Sequence, residues 1–328
     1  MYTFLRYWRS WLVEHGHQIT DAMGDDYDLL FVNSFMVSPS DIRQVRRERP
    51  DVPIIQRVDG SAWDYGRFDN ADELQARANL YADMTIFQSE YSRYSTMEKY
   101  RVISQNGPVI YNPVDPDIFT PHGNTVDLPG TIRVCNVSWS TNRRKGTWQI
   151  GMLAEARPDV DFILCGNYPE LPDLANIHQL VHLEHDDLAA VLRSCHIYTH
   201  LAQNDPCPNV ILEGLASGLP VLYIDSGGSP ELVGSCGSPC TVETFSDALD
   251  AVMGRHAELS AAARQRVETH FTPTIVFPRY TQALQEARPR SAPTLPHVLA
   301  LVLRGYPVAK ENALLAKVRR AVHRLRSN

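Results

Sequence analysis

The sequence predicts an α/β protein of two domains, each built on a parallel sheet. Three observations carry that expectation. Apolar runs of strand length alternate with amphipathic helical stretches, the order that parallel sheets with covering helices require. At 328 residues the chain exceeds the usual size of one domain. A stretch from about 120 to 130, rich in Pro, Gly, Asn and Asp, reads as the joint between the two halves.

A content of 44% hydrophobic and 21% charged residues is ordinary for a soluble globular chain with real cores. The net charge of −7 is uneven, because Arg304 to Asn328 holds seven Lys or Arg against one Glu, giving +6 there and −13 over the remainder. The tail is thus a separate electrostatic object; no nucleic-acid partner is expected. No apolar run approaches the roughly 18 residues that span a bilayer, and the start, MYTFLRYWRSW, lacks a signal-peptide core, so a cytoplasmic protein is expected. The six Cys fall mostly in apolar patterns, so reduced thiols are the default, although Cys236 and Cys240 are spaced to clip a loop or help bind metal. The 12 His show no ligand spacing, and no metal centre is expected.

In chain order, Leu5, Trp8, Trp11 and Leu12 recur at helical spacing from Phe4 to His15, and Gly16 ends that helix. A short strand at Gln18 to Thr20, a buried strand at Asp28 to Asn33, a helix at Pro39 to Glu48 and a strand at Val52 to Val58 follow. A helix closes at Asn79 to Asp83, Met84 to Gln88 reads as a strand, and Ser89 caps a helix running to Tyr100. The second half opens with a strand, Arg133 to Trp139, a basic turn and a helix through Glu155. Then come strands at Asp161 to Gly166 and Gln179 to Leu183, a helix at Asp187 to Cys195, a buried strand at Ile197 to Leu201 and a late helix at Thr272 to Ala287.

The stretch from Thr199 to Val233 strings together strand, polar turn, short helix, strand and glycine loop. Ligands collect at the carboxyl ends of such strands. Pro208 sits in the first turn of the helix that ends at Gly218, and the N–H groups of Asn209, Val210 and Ile211 open it as an anion site. Asp205 stands just before that helix, and Glu213 about a turn and a half into it. Carboxylates accept from sugar hydroxyls, so an anion at the tip with an acid on either side describes a nucleotide-sugar better than a bare phosphate. Upstream, Ser140 to Gly146, with Arg143, Arg144 and Lys145, outlines a phosphate cradle in which Lys145 is the main cation; a solvated basic loop is the plainer alternative. Arg57 and Asp59 end a strand where such folds keep active-site groups, or they form a pair that only fixes the turn.

The order of acid, seven residues and Glu, followed by Ala216-Ser217-Gly218-Leu219-Pro220-Val221 and Gly227-Gly228-Ser229-Pro230-Glu231, resembles the donor site of retaining nucleotide-sugar glycosyltransferases of the GT-B type, family 4-like, group 1. The resemblance covers about Phe4 to Ala287 and implies two Rossmann-like domains. It implies that Asp205, where Glu is commoner, faces the transferred sugar, that Glu213 holds the ribose hydroxyls, and that Lys145 meets the diphosphate. Ser140 stands where many members have Arg, and Arg143 or Arg144 supplies that charge. Gly227 and Gly228 complete the donor loop, and the loop around His182 to His185 lies against the base. Arg57-Val58-Asp59-Gly60 matches the turn H-R-I-D-G, with Gln56 in place of His. Val109 to Asp115 looks like I-x-N-G-V-D, with Pro113 in place of Gly, and Thr272 to Ala287 resembles the helix that crosses back to the first domain. The implied activity is metal-independent, cofactor-free, hexosyltransferase-like transfer, with retention, to a hydroxyl of a glycan or glycolipid, as in polysaccharide biosynthesis.

The resembling glycosyltransferases place a strand and a glycine-rich loop ahead of the segment matched by Gly16-His17-Gln18-Ile19-Thr20, so the resemblance implies a first domain that lacks its leading strand. The expected divisions are a first domain at 1–125, a donor-binding domain at 126–270, a crossover helix at 271–287 and a basic tail at 288–328. Within the tail, Leu314, Leu315, Val318, Val322 and Leu325 share a helical face opposite Lys317, Arg319, Arg320 and Arg324. Residues 304–328 therefore suit an anionic membrane surface, or docking on the acidic body. Two rivals stay open: a donor-binding but catalytically silent subunit, and a nucleotide-sugar epimerase or hydrolase on the same fold.

Overall fold

The structure is a computed structural model and describes residues 3–181 and 183–290. His182 and the basic tail at 304–328 lie outside the described residues.

The chain begins with α1 (Thr3–Glu14) and continues through β1 (Leu30–Asn33), α2 (Pro39–Glu48), β2 (Ile54–Val58), α3 (Ala71–Asn79), β3 (Met84–Phe87) and α4 (Glu90–Arg93). A π-helical turn, Tyr94–Lys99, follows. Next come β4 (Arg133–Ser138), two 3-10 turns, α5 (Ile150–Ala156), β5 (Asp161–Gly166), β6 (Ile177–Leu180), α6 (His185–Arg193), β7 (Ile197–His200) and α7 (Asn209–Ala216). β8 (Val221–Tyr223), α8 (Ser229–Val233), β9 (Gly237–Pro239), α9 (Phe245–Met253), α10 (His256–His270) and α11 (Pro273–Glu286) complete it.

Contacts divide the described residues into two units. The larger holds the residues up to Ile19, Gln88–Tyr91 and Ile110–Gln285; the smaller holds Thr20–Phe87, Ser92–Val109 and 286–290. The division departs from the expected boundary near 125, because α1 and residues 110–125 go with the larger unit.

The smaller unit has a three-stranded parallel sheet in the order β1-β2-β3, and β2 is buried along its whole length. The larger has a six-stranded parallel sheet in the order β6-β5-β4-β7-β8-β9. Its central strands are buried on both faces, and alternate residues feed two cores. Cys135, Val137, Ile163, Cys165 and Tyr198 meet α6, α7 and α10 on one side; Val134, Phe162, Leu164 and Ile197 meet α5 and α9 on the other. All six cysteines are buried and free, Cys236 and Cys240 included. Among the described residues no helix is long and apolar enough to cross a membrane.

Two expected elements differ. Gln18 to Thr20 forms no strand; Thr20 Oγ1 instead accepts from the Ala22 N–H at 3.0 Å, closing a local turn. The helix expected from Ser89 to Tyr100 changes character midway. Ser95 and Thr96 donate their hydroxyls to the Ser92 carbonyl at 3.2 and 2.7 Å, and the Tyr100 N–H reaches back five residues to Ser95. Hydroxyls that compete for the helix carbonyls favour such a widened turn.

Candidate functional site

In the larger sheet β4 leads outward to β5 and β6, whereas β7 leads the other way to β8 and β9. The reversal opens a crevice at the carboxyl ends of β4 and β7, the place where open α/β sheets bind ligands. The loops after these two strands carry Lys145 and Asp205, and the side chains meet there, Lys145 Nζ lying 2.8 Å from Asp205 Oδ2. The pair is mostly buried, with 21% and 12% of the side chains exposed.

Local sequence explains why Lys145 arrives. Asn142 Oδ1 accepts from the Arg144 N–H at 3.0 Å, and Ser140 Oγ accepts from the Asn142 N–H at 3.2 Å, which tightens the basic loop into a 3-10 turn. Gly146 then takes a left-handed φ of +69°, and a Cβ there would lie 2.2 Å from the Leu201 carbonyl oxygen at the end of β7. The Gln203 N–H donates to the Arg144 carbonyl at 2.7 Å, so the two loops are stitched together. The Arg143 guanidinium stacks over Trp148 at 5.1 Å.

Asp205 is supported from behind by the glycine loop. Gly227 has φ +70°, and a Cβ on it would lie 2.3 Å from the Asp205 carbonyl oxygen; the Gly228 N–H donates to that same carbonyl at 2.8 Å. Gly227 and Gly228 are thus placed against the Asp205 backbone. Burial alone would raise the Asp205 carboxyl, but Lys145, His200 and the Cys207 N–H outweigh it and hold it below its usual range. The carboxylate stays ionised.

At the tip of α7 the sequence expectation needs one correction. The Ile211 N–H donates to the Pro208 carbonyl at 3.1 Å, closing the first turn, so Asn209 and Val210 are the amides that open the helix. The Asn209 side chain is oriented from outside the helix, its Oδ1 accepting from Asn112 Nδ2 at 2.8 Å, while Asn112 also donates to Gln88 Oε1 at 3.0 Å. Glu213 faces a pocket lined by Tyr7, Pro113, Val114, Asp115, Phe119, His185 and Asn209. Burial, with no donor to offset it, pushes the Glu213 carboxyl from 4.5 up to about 7.

At the start of α4 the Ser89 hydroxyl donates to the Pro206 carbonyl at 2.5 Å, and the Glu90 and Tyr91 N–H groups donate to the Glu231 carboxylate at 2.8 and 2.7 Å. Tyr111 adds a third donor to Glu231 at 2.9 Å. A carboxylate 140 positions from Tyr91 thus takes two of the first amides of that helix.

Arg57 and Asp59 belong to the smaller unit, where Arg57 Nη1 lies 2.6 Å from Asp59 Oδ1 and donates to Asn33 Oδ1 at 2.9 Å. Arg57 is buried, and Asp59 is the exposed member at 41%. Gln56 is a core residue: it donates to the Ser34 and Gln75 carbonyls at 3.0 and 3.2 Å and accepts from Asn79 at 2.8 Å.

His200, which the sequence reading passed over, ends β7 beside Asp205 with a buried Nε2 that has no hydrogen-bond partner. Burial lowers its pKa from 6.5 to about 4, so the imidazole is neutral. The unfolded chain therefore binds the proton more tightly, and the stability conferred by the neutral ring is present above pH 6.5 and lost as pH falls toward 4. His200→Leu is expected to raise the melting temperature relative to the parent by a larger margin at pH 5 than at pH 7.5. An equal margin at both values would refute the buried neutral imidazole.

Residues 141–256 match the family model of Glycosyl transferases group 1. Lys145, Asp205 and Glu213 all lie within the matched stretch. Among solved structures, the chain resembles a sucrose-phosphate synthase from Thermosynechococcus elongatus, with TM-score 0.66 and 15% identity over 87% of this chain and 78% of that one. The Anabaena protein HepE in complex with UDP and glucose gives TM-score 0.65 and 15% identity over 85% of this chain and 89% of that one. AviGT4, a glycosyltransferase involved in avilamycin A biosynthesis, gives 0.62 and 16% over 87% and 89%. The fold is that of the GT-B glycosyltransferases. No curated protein sequence matches.

Proposed function

We propose that the protein transfers a sugar, with retention and without a metal, from a nucleoside-diphosphate sugar to a hydroxyl of a glycan or glycolipid. The observation that carries this reading is the meeting of Lys145 and Asp205 at the sheet's switch point, beside the α7 tip and Glu213. In this reading Lys145 passes from Asp205 to the donor diphosphate, which the Asn209 and Val210 amides approach from the other side. Arg144 and Ser140 keep Lys145 in register through the loop. Asp205, released from its cation, accepts from hydroxyls of the transferred sugar, while Glu213 takes the ribose diol.

When the bond from the anomeric carbon to the diphosphate breaks, negative charge grows on the leaving oxygen. A fixed cation there favours the transition state over the bound donor. Gly227 and Gly228 act through the Asp205 backbone that they support. Arg57 and Asp59 are assigned to the acceptor side, with Asp59 as the group that a hydroxyl reaches.

Calorimetry with UDP, ADP, GDP and CDP and their glucose conjugates tests the binding half. Tighter binding of one nucleotide than of the others is expected, with affinity lost in Glu213→Ala while the chain remains folded. Absence of binding to every member of the panel would sink the site assignment. Turnover is then followed by NMR of the anomeric centre with EDTA present; an inverted product would contradict retention, and turnover without any acceptor would indicate a hydrolase or epimerase. Tight binding with no turnover over a broad acceptor panel would favour the silent subunit.

A further inference from the structure

We propose that Tyr7, on the first helix of the chain, is a ribose-binding residue of the donor pocket; the inference rests on the donor reading of Glu213. Helix α1 is built into the larger unit. Phe4 and Trp8, 6% and 2% exposed, pack on Phe277 and Tyr280 of α11, with ring centroids 5.1 Å apart for Phe4–Tyr280 and Trp8–Phe277 and 5.3 Å for Trp8–Tyr280. Trp11 continues the contact one turn on, at 5.6 Å from Phe277. This packing fixes the rotation of the helix and turns Tyr7 into the pocket that Glu213 faces.

The chemistry of that pocket selects its occupant. Pro113, Val114 and Phe119 give it apolar walls, while Asp115 and Glu213 give it two carboxyls. An anion is disfavoured there, and the free space of about 10 Å³ takes a single hydroxyl presented by a larger group outside it. Glu213 has no donor of its own, burial being the single cause of its raised pKa, so it awaits an O–H.

Tyr7 completes the set. Arg6 Nη2 donates to the Tyr7 hydroxyl at 3.2 Å and lies 3.3 Å from His185 Nδ1, which must accept because arginine can only donate. The Tyr7 oxygen is thereby occupied as an acceptor, and its proton is left for a ligand oxygen. A ribose hydroxyl closes the chain by accepting from Tyr7 and donating to Glu213, and such linked bonds strengthen one another.

The test compares ribose and deoxyribose. The nucleoside diphosphate of the panel that binds the parent most tightly is measured alongside its 2′-deoxy and 3′-deoxy forms, in the parent, in Tyr7→Phe and in Tyr7→Ala. The parent is expected to lose roughly 10- to 100-fold in affinity when the bridging hydroxyl is removed, the scale of a hydrogen bond to a charged group. Tyr7→Phe, which keeps the ring and the packing of α1, is expected to bind the ribonucleotide several-fold more weakly and the matching deoxy form as the parent does. Discrimination between the two would therefore shrink. Unchanged discrimination in Tyr7→Phe, or tighter binding by Tyr7→Ala, overturns the inference while leaving the donor reading intact. Failure of the parent to bind any nucleotide overturns both.

Discussion

Lys145→Met is expected to lower turnover by roughly 100- to 1,000-fold, the usual scale for removing one preorganised group that meets the developing charge of a transition state. It should also destabilise the chain by about 2 to 3 kcal/mol, somewhat below the cost of breaking a fully buried pair, because 21% of the lysine side chain is exposed. The two losses have separate causes and should separate experimentally. Stability falls because Asp205 is left charged without its cation; Asp205→Asn added to Lys145→Met removes that charge and should restore most of the melting temperature. Turnover falls because the diphosphate has lost its counter-charge, so the double variant should remain inactive. If Lys145→Met alone turns over within about threefold of the parent, the loop is merely a solvated basic turn and the assignment of Lys145 is wrong.

What was legible in the sequence tracks how local each cause is. α2 matched its expected bounds because Ser38, Pro39 and Asp41 form an ordinary start, with the Ser38 hydroxyl accepting from the Asp41 N–H at 3.1 Å. β5 matched because a strand buried on both faces shows as an unbroken apolar run. Lys145 and Asp205 were both legible as site candidates, yet their contact was not, since 60 positions separate them and only the strand order β4-β7 brings the loops together. Long-range satisfaction accounts for the misses. Glu231 reaches the first amides of α4 from a distant element, and Asn112 orients Asn209. Tyr7 was hidden differently: Trp8 and Trp11 marked a buried helix face, but the chemistry lies on the flank beside it, which hydrophobic periodicity does not distinguish.

Glu213→Gln is expected to stabilise the unliganded protein and weaken donor binding, two effects of opposite sign from one atom pair. The carboxyl is raised from 4.5 to about 7 by burial, so between these values the folded chain holds a proton that the unfolded chain has released. The proton-linked stability is fully present below pH 4.5, declines as pH rises and is gone above pH 7. A shift of this size corresponds to something on the order of 3 kcal/mol. Glutamine does not ionise, so the variant should melt several degrees above the parent at pH 8 and close to it at pH 5. Binding should move the other way. A ribose diol donates to a carboxylate more strongly than to an amide, and the loss is expected to be about 10- to 100-fold in donor affinity at pH 8. A purely structural glutamate would tie stability and affinity together. A carboxylate held in the pocket for a ligand sets them against each other, so a Glu213→Gln variant that melts lower than the parent at pH 8, or binds the donor equally well, contradicts the role assigned here.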